Sequence, residues 1–141
     1  MKTLFLVIGK TVDKHLSALI DDYTQRVKHY QPFDIEVIPE LKQAKSLTEA
    51  QQKLREAELI KKSLRPGDRI VLLDEGGQEF RSIGFANYLQ QQNATAARRL
   101  VFIVGGPYGF APEIYELAHD KISLSRMTFS HQMVRLFFVE Q

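Results

Sequence analysis

A chain of 141 residues, 44% apolar and 26% charged, is long enough to bury one hydrophobic core and too short for two domains. The absence of cysteine excludes disulfides, thiolate metal sites and a cysteine nucleophile, and suits a reducing cytoplasm. A formal net charge of +2 permits an RNA partner without predicting one.

The chain opens on "MKTLFLVIGK", an apolar run too short for a secretory signal, and no stretch approaches the roughly 18 apolar residues of a membrane helix. A cytoplasmic protein with no membrane partner is expected. Residues 3–9 read as a buried strand ending in glycine. Over 12–30, Val12, Leu16, Leu19, Ile20, Tyr23, Val27 and Tyr30 recur at three- and four-residue spacing, which predicts one apolar helical stripe. "FDIEVIPE" (33–40) alternates and predicts a half-buried strand closed by Pro39.

Ser46 or Thr48 can cap the next helix, which runs to about Leu64 with acids early and Lys61 and Lys62 late, as the helix dipole favours. Arg65-Pro66-Gly67-Asp68 is a turn. "RIVLLDE" (69–75) reads as a buried strand stopped by Gly76-Gly77, 82–92 as a helix, and "RLVFIVGG" (99–106) as another buried strand. A short helix over 112–119, a strand or extended loop over 121–129, and a helix from Ser130 onward complete the pattern. Strands separated by helices through short loops predict a single α/β domain over 1–141: a mostly parallel sheet with flanking helices.

Gly9-Lys10-Thr11 mimics the end of a phosphate-binding loop, but position 4, where that motif needs glycine, is leucine. "VIGKTVDK" also lacks the glycine pattern of a dinucleotide fold. The turn Gly105-Gly106-Pro107-Tyr108-Gly109 sits between a strand and a helix. Pro107 removes a donor and no lysine follows, so a neutral nucleoside fits better than a triphosphate. The competing reading is a turn whose glycines supply only positive φ.

Asp74 and Glu75 end a strand where ligands gather in such sheets, but adjacent strand residues face opposite ways, so at least one reads as a solvated turn residue. Of the four histidines, His15, His29 and His119 read as solvent-facing, and no pair has metal-ligand spacing. No metal is expected. His131 and Arg135 stand four apart at the start of the last helix, suited to an anionic or nucleotide substrate or to ordinary surface polarity.

"LFLVIGK", "VLLDEGG", "FIVGGPYGF" and "ISLSRMTFSHQMVRLFFVEQ" together resemble the RlmH family, from the first strand to the last residue. These are SPOUT-class methyltransferases acting on N3 of a pseudouridine in bacterial 23S ribosomal RNA. The resemblance implies a SPOUT-type C-terminal trefoil knot, a homodimer, the assembled ribosome as partner, and S-adenosyl-L-methionine as cofactor. It places that cofactor against Leu73, Gly105, Leu124, Ser125, Arg126, Met127, Thr128 and Phe129.

His131 and Arg135 are then expected beside the substrate, with Arg98, Arg99 and Arg126 as further RNA contacts. The general base is left unassigned. The apolar pattern of the last helix meets no glycine cap or polar ending before Gln141, so that helix reads as cut short of the family's tail. The alternative function is a catalytically silent RNA- or ribosome-binding module of the same fold.

Overall fold

The computed structural model describes residues 1–42 and 44–141. Five strands form one sheet: β1 (Lys2–Ile8), β2 (Phe33–Ile38), β3 (Asp68–Glu79), β4 (Arg99–Val104) and β5 (Asp120–Ser123). They lie in the order β2-β1-β4-β3-β5, and every pairing is parallel. Five helices connect or follow them: α1 (Lys14–Lys28), α2 (Glu49–Ser63), α3 (Ser82–Asn93), α4 (Pro112–Leu117) and α5 (Met133–Glu140).

The continuous apolar runs of β1 and β4 follow from burial on both faces. Along β1, Leu4, Leu6 and Ile8 enter one core with Ala57 and Ile60 of α2 and Ile114 of α4. Phe5 and Val7 point the other way, to Phe85 and Tyr88 of α3 and Phe138 and Val139 of α5. Phe138 lies 4.5 Å from the Phe5 ring and 4.8 Å from that of Phe102, so α5 is anchored on the middle of the sheet.

Local chemistry sets the helix ends. Asp13 accepts hydrogen bonds from the amides of His15 (2.8 Å) and Leu16 (3.0 Å), so α1 begins after it. Val12 and Tyr30 therefore fall outside the helix and are exposed, and Leu19 also lies off the buried stripe of Leu16 and Ile20. Thr48, rather than Ser46, caps α2, in a reciprocal box with Gln51.

The third strand does not stop at Gly76-Gly77. It continues to Glu79, with Leu73 and Gln78 both opposite Ile122, so that 74–77 bulge out between them. Glycine permits this at position 77, where a methyl group would lie 2.6 Å from the main-chain N and C of Ile122. The fifth strand ends at Ser123, and 124–132 cross the sheet's end as irregular chain.

That crossing brings α5 back beside β1 and α1. Gln132 grips the chain after β1, donating to the Lys10 carbonyl (3.1 Å) and accepting from the Val12 amide (2.9 Å). Arg135, 2% exposed, donates Nη2 to the Ile8 carbonyl (2.8 Å) and Nη1 to the Gly9 carbonyl (2.8 Å) and Thr11 Oγ1 (3.1 Å). Its Nε holds the carbonyl of His131 at 3.0 Å. This corrects the expectation that Arg135 faces an anionic substrate: four hydrogen bonds occupy its guanidinium inside the protein.

Arg99 is likewise not a surface cation. It pairs with Asp68 through Nε (2.9 Å) and Nη2 (2.7 Å) and also reaches the Ser63 carbonyl (3.1 Å). The pair sits where β3 and β4 begin, the end of the sheet remote from the crossing segment, and exposed Arg98 lies there too. Burial raises the Asp68 carboxyl, but the Arg99 side chain and the Arg65 amide outweigh it and hold the carboxyl below its ordinary range.

Because the folded pKa is depressed, the stabilisation from Asp68 is present above the unfolded carboxylate pKa of about 3.9 and is lost as pH falls through the lower folded value. Asp68→Ala, by leaving a buried guanidinium without its counterion, is expected to cost about 3–5 kcal/mol in urea unfolding. A loss under about 1 kcal/mol would contradict a buried pair, since that is the range of exposed ones.

Candidate active site

At the carboxyl ends of β3, β4 and β5 lies an open cleft of about 570 Å³. Three chain segments wall it. The first is the end of β3 and its bulge (Leu73, Asp74, Glu75), the second the glycine turn 105–109 after β4, and the third the stretch 122–131 from β5 into the crossing segment.

The glycine turn doubles back on itself. Gly109 adopts a φ of +81° and donates its amide to the Gly106 carbonyl at 3.1 Å. Gly105 lies so close beneath that a methyl group there would sit 3.2 Å from the Gly109 carbonyl atoms and 3.3 Å from the Phe110 ring. The result is bare main chain facing the cleft. Opposite it, the crossing segment is shaped by its serines: Ser123 Oγ donates to the Ser125 carbonyl (2.8 Å), Ser125 Oγ accepts from the Met127 amide (3.0 Å), and Ser130 Oγ accepts from the Met133 amide (3.0 Å).

The structure brings Leu73, Gly105, Leu124, Ser125, Met127, Thr128 and Phe129 to this single cleft, with His131 also on its wall. Arg126 is left out: its side chain is 91% exposed and its Nε binds Glu79 at 2.9 Å on the outer side. Arg135 lies buried behind the wall. Among the described residues no lysine or arginine lines the cleft, while Asp74 and Glu75 both do. Strand alternation predicts that these neighbours face opposite ways; the register shift at 74–77 breaks the regular alternation there, and both residues line the cleft.

Tyr115 is a site residue with no signal in the sequence. From α4 its hydroxyl donates to Asp74 Oδ1 at 2.9 Å, across 41 residues of chain, while Asp74 Oδ2 accepts from the Gly76 amide at 3.1 Å. The Tyr115 ring packs edge-on against Phe110, and Lys121 Nζ stands 5.6 Å from its centroid. Burial, and then the hydrogen bond to the anionic Asp74, push its phenol up to about 12. His15, His29 and His119 are all exposed, as expected, and His119 Nδ1 also accepts the Ile70 amide at 3.0 Å just before the β3–β5 pairing begins.

Among the described residues no three histidine, aspartate or glutamate side chains converge as metal ligands, and no helix is long and apolar enough to cross a membrane.

A family profile described as "Predicted SPOUT methyltransferase" matches residues 1–141. Over 141 residues the chain is 61% identical to the ribosomal RNA large subunit methyltransferase H of Phocaeicola vulgatus, 57% to that of Bacteroides fragilis and 52% to that of Flavobacterium johnsoniae. Each alignment takes in all of this chain and 90% of the relative.

The Asp74–Tyr115 pair can be read directly. With a folded pKa above the unfolded value, the phenol's contribution to stability is complete below about pH 10 and is lost as pH rises through about 12. In residue-resolved NMR titration of the tyrosine rings, Asp74→Asn is expected to lower the Tyr115 value only part of the way, since burial still holds it up. An unmoved titration would show that Asp74 does not hold the phenol.

Proposed function

The chain belongs to the SPOUT methyltransferase family, and from that premise we propose that it uses S-adenosylmethionine to methylate N3 of a pseudouridine in 23S ribosomal RNA. Membership implies a knotted C-terminal arrangement, of which the return of α5 to β1 is the observed framework. The proposal takes 1–141 as one catalytic domain, acting in the cytoplasm on the assembled ribosome as a homodimer. Exposed Val12, Leu19 and Met133 around α1 and α5 offer apolar area for a second copy.

One observation carries the cofactor reading: three separate segments meet in a cleft that has apolar walls, bare main chain and, among the described residues, no lysine or arginine. A phosphate-bearing ligand would find no cation there; a nucleoside with a positively charged sulfur finds Asp74 and Glu75. Leu73 and Leu124 would hold the adenine between them, and the main chain at Gly105 and 124–129 would satisfy its edge and the ribose. Arg126 would take part through its main chain, since its side chain points out to Glu79.

When bound, S-adenosylmethionine supplies an electrophilic methyl group on a sulfonium whose thioether leaves without a proton. The protein's work is therefore positioning and one deprotonation. The cleft walls hold the nucleobase nitrogen in line. The imide proton must be taken up, and His131 supplies an imidazole on the cleft wall for that transfer. Its place is fixed through its own carbonyl, which Arg135 holds. Specificity is assigned to the ribosome's shape, since no basic stripe lines the cleft and Arg98 and Arg99 lie at the far end of the sheet.

The chain is expected to bind S-adenosylhomocysteine in the micromolar range, about 8 kcal/mol by calorimetry, and to transfer labelled methyl groups to ribosomes. Leu124→Arg is expected to abolish binding. His131→Ala should lower kcat roughly 100-fold with S-adenosylhomocysteine affinity retained. Unchanged kcat in His131→Ala would remove it from proton transfer. Binding without methylation of ribosomes by the parent chain would favour the silent binding module.

A further inference from the structure

Beneath the glycine turn lies a buried acid that none of the chemistry above uses. Glu56 stands on the inner face of α2 with the core residues Ala57 and Ile60 and is 4% exposed. No basic side chain among the described residues pairs with it, and its Oε2 accepts a hydrogen bond from Gln52 Nε2 at 3.2 Å. A carboxyl in such a place costs stability unless something is gained by it. Burial pushes its pKa up.

What it touches is Gly106. A methyl group on Gly106 would lie 2.5 Å from Glu56 Oε2 and 2.6 Å from Oε1. Gly106 is not among the glycines with positive φ, which are Gly9, Gly67 and Gly109. Positive φ therefore does not account for its missing side chain; the room is taken by the Glu56 carboxyl, which an added methyl group would have to displace. The glycine leaves room for the acid, and the acid fills the room beneath the glycine.

We propose that Glu56 is a positioning residue that braces the turn 105–109 from behind and so holds the main chain at Gly105 toward the cleft. The functional half of this rests on reading the cleft as the S-adenosylmethionine site. Removing the brace lets the turn sag away from the ligand; adding a methyl group at Gly106 pushes it off the brace. The two changes made together are then less harmful than the glycine substitution alone, which is coupling between neighbours.

The test uses the whole 141-residue chain, with hydrogen exchange over residues 105–110 and titration with S-adenosylhomocysteine. Glu56→Ala is expected to speed exchange at 105–110, leave β1 and β4 protected, and weaken S-adenosylhomocysteine roughly tenfold. Glu56→Gln, which keeps the shape and an oxygen to accept from Gln52, should behave as the parent. Gly106→Ala should weaken binding comparably, and Gly106→Ala/Glu56→Ala should recover part of that loss.

Parental exchange at 105–110 in Glu56→Ala would overturn the proposal, as would a Gly106→Ala protein indistinguishable from the parent. Should Glu56→Ala fail to fold, Gly106→Ala and Glu56→Gln decide it by the same exchange. A parent chain that does not bind S-adenosylhomocysteine defeats the cofactor reading, while the exchange arm still judges Glu56.

Discussion

The open end of the sheet is organised by one buried guanidinium. Taking a charge out of water costs several kcal/mol, and Arg135 recovers it from main-chain carbonyls of Ile8, Gly9 and His131 and from the Thr11 hydroxyl. Arginine suits the task because its planar fork reaches carbonyls from different segments at once. Burial pulls its pKa down, and the charge of Glu40 opposes that. The consequence is mechanical: 124–132 are pinned across the ends of β3 and β4 and become a wall. Gln132 and the packing of Phe138 against Phe5 and Phe102 secure the same return.

With that wall in place, the cleft's chemistry follows from what is absent and what is near. Its polar surface is main chain and hydroxyl, supplied by the glycine turn and Ser123 and Ser125. Its charge is acidic, from Asp74 and Glu75, and the phenol of Tyr115 keeps Asp74 in place. Such a surface attracts a cationic ligand and does not attract an RNA backbone. The two roles proposed for the protein thus separate in space: a small-molecule site read by its walls, and a nucleic-acid approach governed by the partner's shape.

Much of this was legible before the fold. The buried strands, both long helices and the glycine turn announce themselves through periodicity and breakers, because those signals are local. Leu73, Gly105 and 124–129 could be gathered only through motifs resembling a family, since no spacing rule joins positions so far apart in the chain. Arg135 was misjudged because the i, i+4 argument considers its own helix alone, whereas its partners end β1. Arg99 was misjudged for the same reason, its partner being Asp68 one strand away. The bulge at 74–77 was hidden because two glycines normally end a strand; only the approach of Ile122 to Gly77 shows why they extend this one.

The most direct test is a crystal structure of this chain with S-adenosylhomocysteine. The account predicts the adenine between Leu73 and Leu124, polar contacts from the main chain at Gly105 and 124–129, and Arg135 still bonded to the carbonyls of Ile8 and Gly9. A ligand seated elsewhere, or one bound only after Arg135 leaves those carbonyls, would contradict it.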